Sequence, residues 1–483
     1  MLGARVLAAL LLGWAATAQA QISGLSVAGI PPLPSIQQDG QTFYPNDFAL
    51  GSTDPQLANA VYVASRMTMT SGSCTATGIR LGFTNSAIQK QAYGELTTAL
   101  ETTNPTALTT EIVKADIEIS GVVTPFTFSG NSSATIAPGT SITWSDTLSV
   151  SLAAQTAYAI QTLANSSTGA VAAVRMANIT NPMPTGSGSV LSTTTAPAVF
   201  GTAGPWAGLT ANAGMVMPLV VAATLSGSST CNAVFLRGDS HVTGQTDNGI
   251  GDAGDANGYV GFMMRALDKF GTVPPFLCAC MGANTIQSYA SPSPSGVNTV
   301  EKATLPYFTN VMIYDVGNDT AGSATATTIE GYVSTLVDNA YSAGAKVAAV
   351  WILPPQTVCG SGNCTGYAWQ NYTQQAVFRN TGPASKGATI TTWIEAGTSN
   401  GGNTITPVDH VTGTGGIGGA CTAGSGLSGT GDTYFWCASG TSDFATQGGE
   451  HPSATVGNSY NIGATQGYSQ ALNPGSTTWG IFQ

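Results

Sequence analysis

The chain has 483 residues, and only 8% are charged, against roughly 25% in an ordinary soluble domain. Its 13 Lys+Arg face 24 Asp+Glu, a formal net charge of -11, which argues against a phosphate backbone as partner because that needs a basic patch. So few Glu and Lys also argue against coiled coils and long exposed helices, and the length suggests two domains.

Residues 1–20 read MLGARVLAALLLGWAATAQA: Arg5 is the positive start, Val6 to Trp14 an apolar run, and Ala18-Gln19-Ala20 a small-x-small site. This pattern predicts a secretory leader, too short to cross about 30 Å of hydrocarbon. Its removal deletes one Arg and no acid, taking the net charge from -11 to -12. No later segment reaches the ~18 uninterrupted apolar residues of a membrane span. The expected product is secreted or periplasmic.

Residues 21–225 are expected to form an all-β sandwich ending in a linker. Short alternating runs such as Ile117-Glu118-Ile119-Ser120 and Ser141-Ile142-Thr143-Trp144 recur between Gly, Pro, Asn and Ser clusters. One helix is expected near Ile88 to Glu101. From about 182 to 215 the chain is rich in Pro, Gly and Thr, and reads as a linker or long surface loop.

After Cys231 the texture changes. Ala233 to Leu236 is an apolar strand running into Gly238. A helix is expected over 258–270, strands over 275–281 and 310–316, a helix over 327–343, a strand over 347–353, and a last helix from about Ser453 to Leu472. Strands alternating with helices imply a parallel sheet. Residues 226–483 are therefore expected to be an α/β domain, with a Gly/Thr-rich insertion over about 396–447.

The eight cysteines suit an oxidising compartment. Cys359–Cys364 and Cys421–Cys437 close short local loops and are the preferred pairs. Cys278 and Cys280 share one face of a predicted strand, with Cys231 and Cys74 as candidate partners. There is no CxxC pair or Cys/His cluster, so disulfides are preferred to zinc. Asp247, Asp252 and Asp255 read as a solvated loop rather than a calcium site.

The chemistry concentrates in Phe235-Leu236-Arg237-Gly238-Asp239-Ser240-His241, a short strand ending in Gly-Asp-Ser. In a parallel sheet this is the mouth of the crevice, where a serine hydroxyl can meet a substrate. Three later segments fall in order: Met281-Gly282-Ala283-Asn284-Thr285 after the second strand, Gly317-Asn318-Asp319 after the third, and His451-Pro452-Ser453 opening the last helix. With these four segments, residues 230–480 resemble the SGNH (GDSL-type) hydrolase family. The resemblance implies a three-layer, flavodoxin-like fold with Ser240 as nucleophile and His451 as base. It also implies an oxyanion hole from the backbone N–H groups of Ser240 and Gly282 and the Asn318 side chain.

On the residues themselves, a serine needs a base in reach and donors aimed at the developing oxyanion. Of the three histidines, His241 adjoins Ser240 on a turn where neighbouring side chains diverge. His410 lies in Gly/Thr-rich sequence, and His451 follows a loop from which it can reach back. The family pattern has Asp three residues before the His, where this chain has Gly448. Asp443 and Glu450 are local candidates for the orienting carboxylate, and a backbone carbonyl is the alternative. The pattern's Gly two residues before the Asn is here Val316.

The expected activity is a serine esterase, cleaving O-acyl esters of a carbohydrate through an acyl-Ser240 intermediate without metal or organic cofactor. A general short-chain esterase or lipase and a sugar O-acyltransferase are the neighbouring alternatives. A non-enzymatic alternative is a polysaccharide-binding module with a decayed site. The expected partner is an acylated polysaccharide or a small ester.

Overall fold

A computed structural model describes residues 61–72, 74–85, 87–90, 99–102, 111–137, 139–166, 186–209, 215–226, 231–238, 275–280, 285–290, 299–314, 319, 324–351 and 386–408, and five short pairs between 427 and 452. Within 61–226 every regular element described is a strand. These are Tyr62–Thr70 (β1), Thr75–Asn85 (β2), Ala87–Lys90 (β3), Ala99–Thr102 (β4), Glu111–Ile119 (β5), Val122–Pro125 (β6), Ala134–Ile136 (β7), Gly139–Trp144 (β8), Leu148–Leu152 (β9), Ala157–Ser166 (β10), Gly188–Ser192 (β11) and Val220–Ser226 (β12). Six of them make an antiparallel sheet in the order β11-β1-β10-β5-β6, with β7 beside β5. Four make a second, β12-β2-β8, with β9 beside β2.

Alternation decides what each sheet buries. Val63, Met67 and Met69 of β1, Val113, Ala115 and Ile117 of β5, and Tyr158, Ile160 and Ala164 of β10 point to one side. There they meet Ala76, Ile79, Leu81 and Phe83 of β2 and Val221 and Ala223 of β12 in a single apolar core. Ala76 and Ile79 are three residues apart and would face opposite ways in a regular strand. The register shifts between Thr77 and Ile79, and Gly78 sits there at φ +58, in the left-handed region that favours glycine.

Two expectations fail in this part. The helix expected at 88–101 is instead two strands, β3 and β4, paired antiparallel from Ala87↔Thr102 to Lys90↔Ala99. Thr97, Thr98 and Thr102 are β-branched and Gly94 lies mid-segment, both of which weaken a helix. The stretch at 182–215, expected as a linker or long surface loop, contributes a strand, β11, which pairs with β1 from Tyr62↔Ser192 to Arg66↔Gly188. The residues after β11 fold over the outer face of that sheet, where Trp206 is buried beside Ala64 and Leu163. Pro and Gly shape this segment without making it a spacer.

The second half contains Val234–Gly238 (β13), Phe276–Cys280 (β14), Ile286–Ala290 (α1), Thr299–Thr304 (α2), Asn310–Tyr314 (β15), Ala326–Ser342 (α3), Val347–Trp351 (β16), Lys386–Glu395 (α4) and Thr406–Val408 (β17). All four expected strands and the 327–343 helix are present. The expected helices at 258–270 and 453–472 lie outside the described residues. β13 to β17 form a five-stranded parallel sheet in the order β14-β13-β15-β16-β17. Counted from β13 this is 2-1-3-4-5, the flavodoxin-like order, whose switch point lies between β13 and β15. β17 falls inside the expected insertion at 396–447, so the start of that stretch belongs to the sheet. The turn before β17 is anchored on α3, where Asp338 accepts hydrogen bonds from Ser399 Oγ (2.6 Å) and Asn403 Nδ2 (2.7 Å).

One face of the parallel sheet carries Phe235, Leu277, Val311, Ile313, Ala348 and Val350. It packs under α1, α3 and α4 through Ile286, Ile329, Val333, Val337, Ile390 and Ile394. Val234, Leu236, Phe276 and Met312 alternate to the other face and are also buried. The same apolar cluster takes in Leu219, Val220 and Ala222, with Ile142 and Trp144 against it. β12 is thus apolar on both sides, with Val220 and Ala222 toward the parallel sheet and Val221 and Ala223 toward the antiparallel core. Arg80 fills this junction, its guanidinium carbon 4.4 Å from the Trp144 ring centre and its Nη2 3.1 Å from Tyr307 Oη. Cys74 and Cys231 form a disulfide here, with Cα atoms 5.7 Å apart. They bond to each other, which overturns their candidacy as partners of Cys278 and Cys280. Cys359, Cys364, Cys421 and Cys437 lie outside the described residues.

Candidate active site

Thr309 sets the register of the parallel sheet at its N-terminal edge. Its Oγ1 accepts the Ala233 N–H at 2.8 Å, and its carbonyl accepts the Lys346 N–H at 2.7 Å. β13, β15 and β16 therefore start in line, and β13, β14, β15 and β16 are each five residues long. They finish in line too: Gly238 pairs with Cys280 on one side and with Tyr314 on the other. Three of the four motif segments leave the sheet from this rung.

Ser240 lies two residues beyond Gly238, Gly282 two beyond Cys280, and Asn318 four beyond Tyr314. Adjacent strands are about 4.8 Å apart, and two residues extend at most ~7 Å. The exits of these loops thus lie side by side at the C-terminal edge, at the switch point where open α/β sheets bind ligands. Ser240, Gly282 and Asn318 themselves lie outside the described residues. So do Asp443, Glu450, His241 and His410.

His451 falls in a two-residue strand, His451–Pro452 (β22), rather than in a helix. It pairs antiparallel with Thr446–Gln447 (β21), with His451 opposite Gln447. β21 pairs in turn with Ala438–Ser439 (β20), and Leu427–Ser428 (β18) pairs with Phe435–Trp436 (β19).

Two residues inside the motif segments have contacts to which the sequence reading gave no role. Arg237 is 1% exposed, and its guanidinium carbon lies 3.7 Å from the ring centre of Tyr289 on α1. A buried cation directly before Gly238-Asp239-Ser240 thereby helps seat α1, a cation–π contact strengthened by desolvation. Asp319, 3% exposed, accepts the N–H groups of Ile286 at 2.5 Å and Gln287 at 3.1 Å with its two carboxylate oxygens. The signal for Asp319 was its place next to Asn318. The signal for Arg237 was a charged residue inside an apolar strand.

Among the described residues, no three His, Cys, Asp or Glu side chains group to hold a metal ion. Among the same residues, no helix is long and apolar enough to cross a membrane.

No family model matches the chain, and no curated protein does. Solved structures do. The crystal structure of TesA matches at 14% identity over 50% of this chain and 98% of that one, with a TM-score of 0.28. The psychrotrophic esterase EstA from Pseudoalteromonas sp. matches at 13% identity over 50% and 100%, also with a TM-score of 0.28. A family two carbohydrate esterase from Clostridium thermocellum matches at 11% identity over 68% and 79%, with a TM-score of 0.22. At these identities and TM-scores the likenesses assign the chain to no family.

Proposed function

We propose that this chain is a serine hydrolase of carboxylic esters, with Ser240 as nucleophile at the C-terminal edge of the parallel sheet. The observation that carries the reading is the common rung at which β13, β14 and β15 end, with Gly238 opposite both Cys280 and Tyr314. It supports bringing one serine and two sets of hydrogen-bond donors to a single crevice, the minimum for acyl transfer.

In this reading, Ser240 Oγ attacks the ester carbonyl carbon while His451 takes its proton. The oxygen that becomes negative is held by the Ser240 and Gly282 backbone N–H groups and the Asn318 amide. Collapse expels the alcohol, which receives the proton from His451. A water molecule then attacks the acyl-Ser240 ester, giving up its proton to His451, which returns it to Ser240 Oγ as the acid is freed. Asp443 is the proposed orienter of His451, with a backbone carbonyl as the alternative. The substrate class we propose is an O-acetylated polysaccharide, in keeping with the leader-like start, the low charge and the attached β region.

The test is hydrolysis of p-nitrophenyl esters of increasing chain length, with acetylated xylan in parallel, by wild type and Ser240→Ala. A fluorophosphonate probe is applied to both. The expected result is turnover of acetyl over longer chains and labelling of wild type alone. Folded wild type that neither turns over nor labels would sink the hydrolase reading and leave a binding module. Labelling with preference for long chains would replace the acetyl-polysaccharide assignment with a lipolytic one.

A further inference from the structure

We infer that Asp319 is a positioning residue that couples the two oxyanion-binding loops, holding the Asn318 segment and the Gly282 segment at one spacing. The inference rests on the hydrolase reading above. Its own ground is the pair of hydrogen bonds that the Ile286 and Gln287 amides donate to the Asp319 carboxylate, across more than thirty residues of sequence.

Each side of this bridge is short. Asn318 adjoins Asp319, so their Cα atoms are about 3.8 Å apart. Gly282 precedes Ile286 by four residues. The helix that receives the carboxylate, α1, has five residues, too few to be stable alone. Three kinds of external contact hold it: Ile286 and Ala290 in the core, Tyr289 against the Arg237 guanidinium, and Asp319 on its first turn. Asp319 is the one of the three that belongs to the other loop. A carboxylate suits the task, because two oxygens can each accept one of two adjacent first-turn N–H groups, and charge-assisted bonds of this kind are short and strong. An asparagine offers only one oxygen and turns an N–H₂ toward the second amide.

The test compares full-length wild type, Asp319→Asn, Asp319→Ala, Asn318→Ala and the Asn318→Ala/Asp319→Ala double variant on p-nitrophenyl acetate, well below each melting temperature. Fluorophosphonate labelling of Ser240 runs alongside. A misplacement of about 1 Å can cost on the order of 10²-fold in rate, so Asp319→Ala is expected to lower kcat roughly 10- to 100-fold. KM is expected to change less than about twofold, since interactions specific to the transition state act on kcat. Asp319→Asn falls between. If Asp319 acts through Asn318 and Gly282, the double variant loses less than the product of the two single losses. If Asp319→Ala does not fold, Asp319→Asn is read on the same terms, alone and combined with Asn318→Ala. Kcat near wild type in the folded Asp319 variants, or losses that multiply, would overturn the inference. Wild type lacking Ser240-dependent labelling and turnover is a distinct result, which removes the hydrolase reading and the inference together.

Discussion

Arg66 and Glu118 are 6% and 7% exposed on the outer face of the six-stranded sheet, and a web of named atoms satisfies them. Arg66 Nε and Nη2 lie 3.1 and 2.9 Å from Glu118 Oε2, and Nη1 reaches the Gly186 carbonyl at 2.6 Å. The Gly204 N–H closes on Glu118 Oε1 at 2.8 Å. Burial pushes the Glu118 carboxyl up, but the Gly204 amide, Arg66 and Gln161 outweigh it, and the net direction is down. Asp116, two residues earlier on the same face, has no such company. Burial drives its pKa from 3.8 up to about 6, with Lys114 only partly opposing. A group held more protonated in the folded state stabilises fully below its unfolded pKa, and that stability is lost as pH rises through the folded value. Asp116 should therefore weaken the fold progressively between about pH 4 and 6. Asp116→Asn removes the titration and should be more stable than wild type at about pH 8, by on the order of 1–3 kcal/mol. Urea melts at about pH 4 and 8 check this, and a variant no more stable than wild type at the higher pH counts against it. The alternation Ile117-Glu118-Ile119 correctly signalled one apolar and one polar face. It could not signal that residues after β11 return to cover the polar face, because that contact joins Glu118 to Gly204, 86 residues away.

At the scale of elements, β2 and β12 show how a strand serves two cores. Gly82 of β2 faces the parallel-sheet side, where the Trp144 ring lies over it. A Cβ built there would sit 2.9 Å from Ile142 Cγ2 and 2.9 Å from Trp144 ring carbons. Neither the ring nor the strand can retreat without opening the Arg80–Trp144–Tyr307 stack, whose aromatic centres are 4.9 Å apart. Gly82→Ala should cost about 1–3 kcal/mol, the usual penalty of overpacking, read as a lower denaturation midpoint with unchanged slope. A midpoint equal to wild type would mean that Trp144 yields freely. The strands and the long helix of the second half were legible because each is a continuous apolar run or a 3.6-residue pattern. Ile329, Val333, Leu336, Val337 and Ala340 line one stripe of α3. The elements misread are those whose local signal is weak: β3 and β4, four residues each, β11 in Pro/Gly-rich sequence, and the three residues of β17. Pairing with a distant partner, rather than propensity, makes these strands.

At the scale of the whole molecule, the antiparallel sheets and the parallel sheet meet along β12, the Arg80 stack and the Cys74–Cys231 disulfide, which closes a loop with a sequence separation of 157. Loop-closure entropy for a ring of that size is about 5 kcal/mol. The Cys74→Ala/Cys231→Ala double variant is expected to lose roughly 2–5 kcal/mol of stability. Wild type under reducing denaturation should approach the same value, and a variant as stable as oxidised wild type would show that the apolar junction suffices alone. By itself, the sequence determined the sign of the charge, the β-to-α/β change of texture after Cys231 and the parallel strands with Gly-Asp-Ser at the end of the first. Each of these is set by residues close together in the chain, through composition, period and turn chemistry. The tertiary structure alone decided the partner of Cys74, the burial of Arg237 under Tyr289 and the grip of Asp319 on α1. Those depend on which surfaces meet across long loops, and no local pattern encodes that choice.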